Sequence, residues 1–273
     1  MSLSLSKAAI HTMTNKPWTL AQCVDNYTRA GIGGMSVWRN VIEPIGIKEA
    51  AKLVRSSGLR IPALVRGGFF PANEEARRSV AIDENKKCID EAAAIGAEMV
   101  VLVCGAVPHM PLTEARKQIA DGIARVLPHA QSNRVKLAIE PLHPMYAADR
   151  SAVNRMAEAR EICEKLKSPW LGIAADVYHI WWDPDLEKEI KLAGEQKTLF
   201  AYHVCDWKAD TCDLLNDRGL MGEGAIRLKE IRSWIEQAGF SGLIEVEIFS
   251  NRYWSIDQHE YLEKIKKAFV EYV

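Results

Sequence analysis

Glu140, Asp176, His203 and Glu247 each stand at or near the end of a short apolar run, in VKLAIE, LGIAAD, LFAYHV and LIEVEIF. Three carboxylates and an imidazole drawn together would repel one another or shift their pKa values unless a divalent cation neutralised them. Oxygen and nitrogen donors with open positions suit Mn2+, Mg2+, Co2+ or Zn2+ rather than a thiolate-selective metal. A cation of that kind, chelated by a carbonyl and its neighbouring hydroxyl, acts as a Lewis acid and makes the hydrogen next to the carbonyl removable by a nearby base. If a second acid returns the proton, the product is an isomer or epimer. If a leaving group sits β to the carbanion, it is expelled and the reaction is an elimination.

Such convergence requires elements that point the four side chains to one place. In a strand, side chains alternate between faces. Val135, Leu137 and Ile139 therefore share one face and Lys136, Ala138 and Glu140 the other, while Asp176 follows the small residues Gly172 and Ala174. Near the end of the chain, Ile244, Val246 and Ile248 oppose Glu245 and Glu247. In all four segments the candidate ligand falls on the face opposite the bulkier apolar residues. Glu245 lies two residues deeper than Glu247, and the expected partner is Lys136, in a buried ion pair beneath the metal. The alternative makes Glu245 the ligand and Glu247 a supporting acid.

Eight such runs occur: KAAIH, GGMSVW, RIPALV, AEMVVLVC, VKLAIE, LGIAAD, LFAYHV and LIEVEIF. Amphipathic patterns separate them, around Leu20 to Ala30, Ile47 to Ser57, Glu74 to Ile95, Thr113 to Ala130, Ala152 to Leu166, Leu186 to Ala193, Ile226 to Ala238 and Gln258 to Val270. Eight βα units predict an α/β fold, a single (β/α)8 TIM barrel over residues 1–273. An open doubly wound sheet is the runner-up, but neither GxGxxG nor GxxxxGK[ST] is present to give the nucleotide site that often accompanies one. In a barrel the chemistry sits at the carboxyl ends of the strands, where these four residues fall.

Lys and Arg number 35 against 36 Asp and Glu, so neither nucleic acid nor a membrane surface is an expected partner. Six cysteines without a CxxC pair fit reduced thiols, and the lack of a long apolar segment leads to an expected cytoplasmic location.

The ordered motifs IEPLH, ADVYH, HVCDW, MGEG and GLIEVEIF resemble those of the xylose isomerase-like TIM barrels, the sugar phosphate isomerases/epimerases, over essentially the whole chain. That resemblance implies one divalent metal, most often Mn2+, on Glu140, Asp176, His203 and Glu247. It also implies that Glu140 and Glu247 act as paired acid/base groups on opposite faces of a carbohydrate, with His179 on a substrate oxygen. The chain departs from the ketose 3-epimerase branch at Tyr146 and Ala209, where that branch has glutamate and arginine. The stretch EPLHPMYAADR is similar to C-glycoside deglycosidase large subunits, which implies His143 as a base for eliminating a 3-keto glycoside, with a small partner subunit. The expected function is a metal-dependent isomerase or epimerase of a carbonyl sugar or polyol; the alternative is that lyase. A homo-oligomer is implied for the first, a hetero-oligomer for the second.

Other residues are candidates to line the site. His179 and Trp181, with Trp182, could wall a sugar, while Asp183 or Asp185 caps the next helix. His11 and Arg66 end earlier strands. Arg218 and Glu223 lie in the DLLNDRGLMGEG loop, which could form a lid, and Arg252 and Trp254 follow the last ligand. Asp206 either orients a neighbour or is solvated. No glycine-rich phosphate loop follows the last strands, so an unphosphorylated or glycosylated substrate is expected. An AP endonuclease-like phosphodiesterase would need more than the seven histidines present and a basic surface. A non-catalytic sugar-binding protein is the remaining alternative.

Overall fold

The structure, a computed structural model, describes residues 3–273. Eight strands and ten helices follow in order: β1 (Ala8–His11), α1 (Leu20–Arg29), β2 (Gly34–Trp38), α2 (Ile47–Ser56), β3 (Ala63–Gly68), α3 (Glu75–Ile95), β4 (Met99–Val103), α4 (Leu112–Asn133), β5 (Lys136–Ile139), α5 (Met156–Leu166), β6 (Leu171–Asp176), α6 (Val177–Ile180), α7 (Leu186–Glu195), β7 (Leu199–Val204), α8 (Leu228–Gln237), β8 (Ile244–Val246), α9 (Asn251–Trp254) and α10 (Gln258–Tyr272). Every strand pairs in parallel with the next, and β1 pairs with β8 through Ala9 and Glu245, so the sheet closes into the expected barrel. That closure removes the open-sheet alternative.

Alternation sorts the side chains as the sequence implies. Leu137, Ile139, Ile173, Tyr202, Val204, Ile244, Val246 and Ile248 pack outward in the main core with the helices. Ala63, Val65, Met99, Val101, Ala138, Ala174 and Ala201 form a separate small cluster inside the barrel. Small residues on β5, β6 and β7 leave room, and the register shift between β6 and β7 at Ile173/Ala174 lets Phe200 enter it. A Cβ on Gly172 would stand 2.5 Å from that ring, so glycine is required beside it.

Some boundaries differ from expectation. The helix after β5 begins at Met156 rather than Ala152, because the preceding backbone is already bonded: Ala152 donates to the Gly105 carbonyl at 3.0 Å. β3 runs to Gly68 with an irregularity at Val65/Gly67, and β8 keeps only three residues. The one-turn helices α6 and α9 are additions. They start where Asp176 and Ser250 accept the N–H groups of Tyr178 and Tyr253. The cysteines are free thiols. No helix among the described residues is long and apolar enough to cross a membrane.

Candidate active site

Strand register assembles the cluster. Asp176 pairs with His203 across β6 and β7, and His203 with Glu245 across β7 and β8. Glu247 lies one pleat higher, its N–H bonded to the Val204 carbonyl at 3.1 Å. Glu140 follows β5 and bonds to the Leu102 carbonyl, also at 3.1 Å. The structure thus brings Glu140, Asp176, His203 and Glu247 together, all buried, with one donor atom from each within 4.8 Å of the others. His203 Nδ1 lies 3.1 Å from Glu140 Oε1 and 3.8 Å from Glu247 Oε2. His203 Nδ1 and Glu140 Oε1 are fully buried and, though close, do not meet in hydrogen-bond geometry, and neither has another hydrogen-bond partner among the described residues. Buried polar atoms are rarely left so. Three carboxylates and an imidazole around two such atoms fit a divalent cation, and these four residues would hold it.

Glu245 is explained differently from expectation. Lys136 is exposed at the start of β5, with Nζ 4.6 Å over the Phe200 ring, and makes no pair with Glu245. Four residues below Glu140, it sits at the barrel floor, beneath the level of Glu245. The partners of Glu245 are instead Ser36, which donates its hydroxyl, His11 Nε2 at 3.3 Å and His203 Nε2 at 3.8 Å. The two glutamates of β8 therefore address different nitrogens of His203. His11, His203 and Glu245 form a second cluster within 4.8 Å, in which Glu245 accepts the Ser36 hydroxyl while His11 Nε2 and His203 Nε2 have no hydrogen-bond partner among the described residues.

His11 is fully buried. Its Nδ1 lies 3.0 Å from Glu247 Oε1 and 3.1 Å from Trp38 Nε1, so the ring supports Glu247 from beneath. Arg218, from the loop after β7, reaches the centre of the site: Nη1 donates to Asp176 Oδ2 at 3.0 Å and Glu247 Oε2 at 3.1 Å. Its guanidinium lies 4.4 Å from the centre of the Tyr178 ring and 5.0 Å from that of Phe249. Burial and the Arg218 charge hold His179 well below the usual imidazole range, so it is neutral, with Nε2 3.3 Å from Arg218 Nη2. Burial pushes Glu247 up, but His11 and Arg218 outweigh it and keep the carboxylate ionised.

Aromatic residues roof one side. His143 stacks on Trp207 at 4.9 Å and meets Trp182 edge-on at 5.8 Å; Tyr178 stacks on Trp207 at 4.8 Å, and Trp181 tilts against it. His143 is half-buried, which lowers its pKa, and its Nδ1 accepts the Met145 N–H. The hydroxyls of Tyr146 and Tyr178 both donate to the Leu214 carbonyl, at 2.7 and 2.9 Å, tethering the loop that carries Arg218. Asp206 is buried rather than solvated and accepts the N–H groups of Trp207, Gly222 and Ile226.

The remaining candidates make no hydrogen bond or ion pair to the four clustered residues. Glu223 accepts from Tyr253 and is faced by exposed Arg252 at 3.8 Å; Trp254 donates to the Met13 carbonyl. Asp183 holds Arg155 and accepts the Asp185 N–H. Arg66 is half-buried over Phe69. Ser36 and Trp38 were not singled out from sequence, although both share the inward parity of β2. Tyr178 stands two residues after Asp176, a position that could have flagged it.

Fold and site together define a barrel with a buried set of oxygen and nitrogen donors that could hold a cation at the carboxyl ends of its last four strands. The chain belongs to the xylose isomerase-like TIM barrel family, whose profile matches residues 24–267. It is similar to the inosose isomerase of Bacillus subtilis, 27% identical over 219 residues covering 79% of this chain and 76% of that protein. It is also similar to the inosose isomerase of Bacillus velezensis, 23% identical over 98% of this chain and 95% of that one. Protein SMc04130 from Sinorhizobium meliloti 1021 superimposes with a TM-score of 0.94 at 46% identity, over 97% of this chain and 98% of its own. The fold is likewise that of the IOLI protein, solved with a bound zinc atom, at TM-score 0.85 and 21% identity over 99% of this chain and 97% of that one.

Proposed function

We propose that this protein is a divalent-metal-dependent isomerase or epimerase of a keto sugar or keto polyol, of the inosose kind its relatives are named for. The observation that carries this is the buried set Glu140, Asp176, His203 and Glu247 with its two unpartnered donor atoms. A cation held there would polarise a substrate carbonyl and acidify the neighbouring C–H. Glu140 and Glu247 come from strands on different sides of the barrel mouth, so one can remove the proton and the other return it. Ionised Glu247 is the base ready to act, held by His11 and Arg218. Neutral His179 can accept from or donate to a substrate hydroxyl, and Arg218 beside it compensates negative charge that develops on substrate oxygen. The rings of His143, Tyr178, Trp181 and Trp207 would shield one side of a bound substrate from water. Manganese is the proposed ion, and a cytoplasmic, homo-oligomeric enzyme the proposed setting.

The lyase alternative keeps one specific support, a neutral half-buried imidazole at His143 on the loop after β5. Incubating Mn2+-loaded protein with an inosose in D2O, followed by proton NMR, tests the main proposal. Deuterium gained next to the carbonyl together with a new isomer is expected, and absent from Glu247→Gln. No exchange with wild type would refute it, and release of an aglycone from a 3-keto glycoside would transfer the assignment to the lyase.

A further inference from the structure

Two arginines near the barrel mouth are left without acid partners by the arrangement above. Arg39, Arg155, Arg160 and Arg218 are each paired with carboxylates. Among the described residues Arg66 and Arg150 are bonded to none; each instead lies over an aromatic ring, Arg66 at 4.6 Å from the centre of Phe69 and Arg150 at 5.3 Å from that of Tyr146. Both are half-buried.

The backbone brings them to one sector. Gly105, after β4, donates its N–H to the Arg150 carbonyl at 3.0 Å and bridges to Ser151. On its other side a Cβ at Gly105 would stand 2.8 Å from Phe69 Cα, and Phe70 donates to the Cys104 carbonyl at 3.0 Å. The loops after β3, β4 and β5 therefore meet at this glycine, which is held at φ +96, and they carry the two guanidinium groups with them. Burial lowers the Arg66 pKa and the Arg150 charge lowers it further, while Glu140 and Glu247 pull it up. Arg66 thus lies within electrostatic reach of both the second arginine and the reacting carboxylates. Arg66 also lines a groove of about 550 Å3 whose walls include Trp38, Arg39, Phe69, Arg77 and Glu84 but not Arg150, which leaves space beside Arg66.

Like charges held together and partly out of water are unfavourable until an anion joins them. A planar guanidinium offers paired donors to carboxylate or phosphate oxygens, and stacking on a ring fixes its orientation. We propose that Arg66 and Arg150 receive an anionic group of the substrate, a carboxylate or phosphate carried away from the reacting carbonyl, so that the natural substrate is an acidic keto sugar or polyol rather than a neutral one. This rests on the proposed function above, and it departs from the unphosphorylated or glycosylated substrate expected from sequence.

Binding to the Mn2+-loaded protein is measured by calorimetry with three probes at low ionic strength: gluconate, inorganic phosphate and neutral myo-inositol. A charge-assisted hydrogen bond contributes about 1.5–3 kcal/mol, so at least one anion should bind roughly 10- to 100-fold more tightly than myo-inositol. Gluconate leading identifies a carboxylate, phosphate leading a phosphoryl group. Arg66→Gln and Arg150→Gln should each erase that preference at unchanged metal content, and Arg66→Lys should restore part of it. If myo-inositol binds as well as both anions, or if the preference survives in Arg66→Gln and Arg150→Gln and so arises at the metal, the inference is wrong. Metal content and exchange on neutral inosose, followed in the same samples, separate that failure from failure of the isomerase proposal itself.

Discussion

Cation uptake by this site should depend steeply on pH, and the structure gives the size of the effect. Burial opposes a charged His203, yet Glu245, Glu140 and Glu247 outweigh it and raise its pKa to about 10. Burial, reinforced by Glu247 and Glu140 against Arg218, raises Asp176 to about 7. A metal-bound imidazole must be neutral, so the cation competes with the His203 proton. At pH 7 that proton is held by about 4 kcal/mol, which weakens apparent affinity roughly 1000-fold relative to the deprotonated site. From pH 7 to 9 affinity should therefore rise about tenfold per unit, and more steeply below pH 7, where Asp176 also carries a proton. The same proton supports the metal-free fold. Because the folded pKa exceeds the unfolded one, this contribution is complete below about 6.5 and disappears as pH rises toward 10, so metal-free protein should melt lower at pH 9 than at pH 7. Mn2+ competition against a chromophoric chelator at pH 6, 7, 8 and 9, corrected for the chelator's own protonation, reads the slope. Calorimetry in two buffers of different ionisation enthalpy should count between about one and two protons released per metal at pH 7. An affinity flat from pH 7 to 9 with no proton release would show that His203 is already neutral and that the surrounding carboxylates do not hold its proton.

Three further outcomes follow from the contacts. Glu247→Gln should lose Mn2+ on desalting, whereas Glu245→Gln should retain close to one metal per chain and show a shallower pH slope, since Glu245 is the main group raising His203; elemental analysis decides, and equal loss in both would reinstate Glu245 as a ligand. Arg218→Met leaves Asp176 and Glu247 without their shared cation, and breaking such a buried pair costs about 3–5 kcal/mol; urea unfolding should show that loss in metal-free protein and a smaller one after Mn2+ loading, while an equal loss in both states would mean that Arg218 acts through packing alone. Tyr146→Phe and Tyr178→Phe each remove one hydrogen bond to the Leu214 carbonyl, about 1 kcal/mol apiece; the double variant should be cut faster by trypsin at Lys208 or Arg218, and an unchanged rate would place the anchoring of that loop with Asp206.

What could be read from sequence was what alternation alone determines. Glu140, Asp176, His203 and Glu247 fall on the inward parity of four late strands, and closure of the sheet then leaves them little choice but to meet. Parity also turns Glu245 inward, but it carries no information on depth. Lys136 shares the inward parity of β5 yet emerges at the floor, while His11 and Ser36, from strands that follow β8 around the closed barrel, reach Glu245 with their side chains. Partners across the β8–β1 seam are separated by more than 200 positions, and only closure and its register reveal them. Arg218 and Arg150 show a second limit, because loop residues have no periodicity from which an orientation can be read. Arg218 is drawn inward by a loop whose ends are fixed at Asp206 and whose middle is fixed at Leu214, and Arg150 by a backbone bond to Gly105. The strands thus determine where a cation can sit, while the loops determine which charges surround it. Selectivity among substrates should accordingly change with loop residues such as Arg66 and Arg150, at constant metal content, more readily than with any interior residue of the barrel.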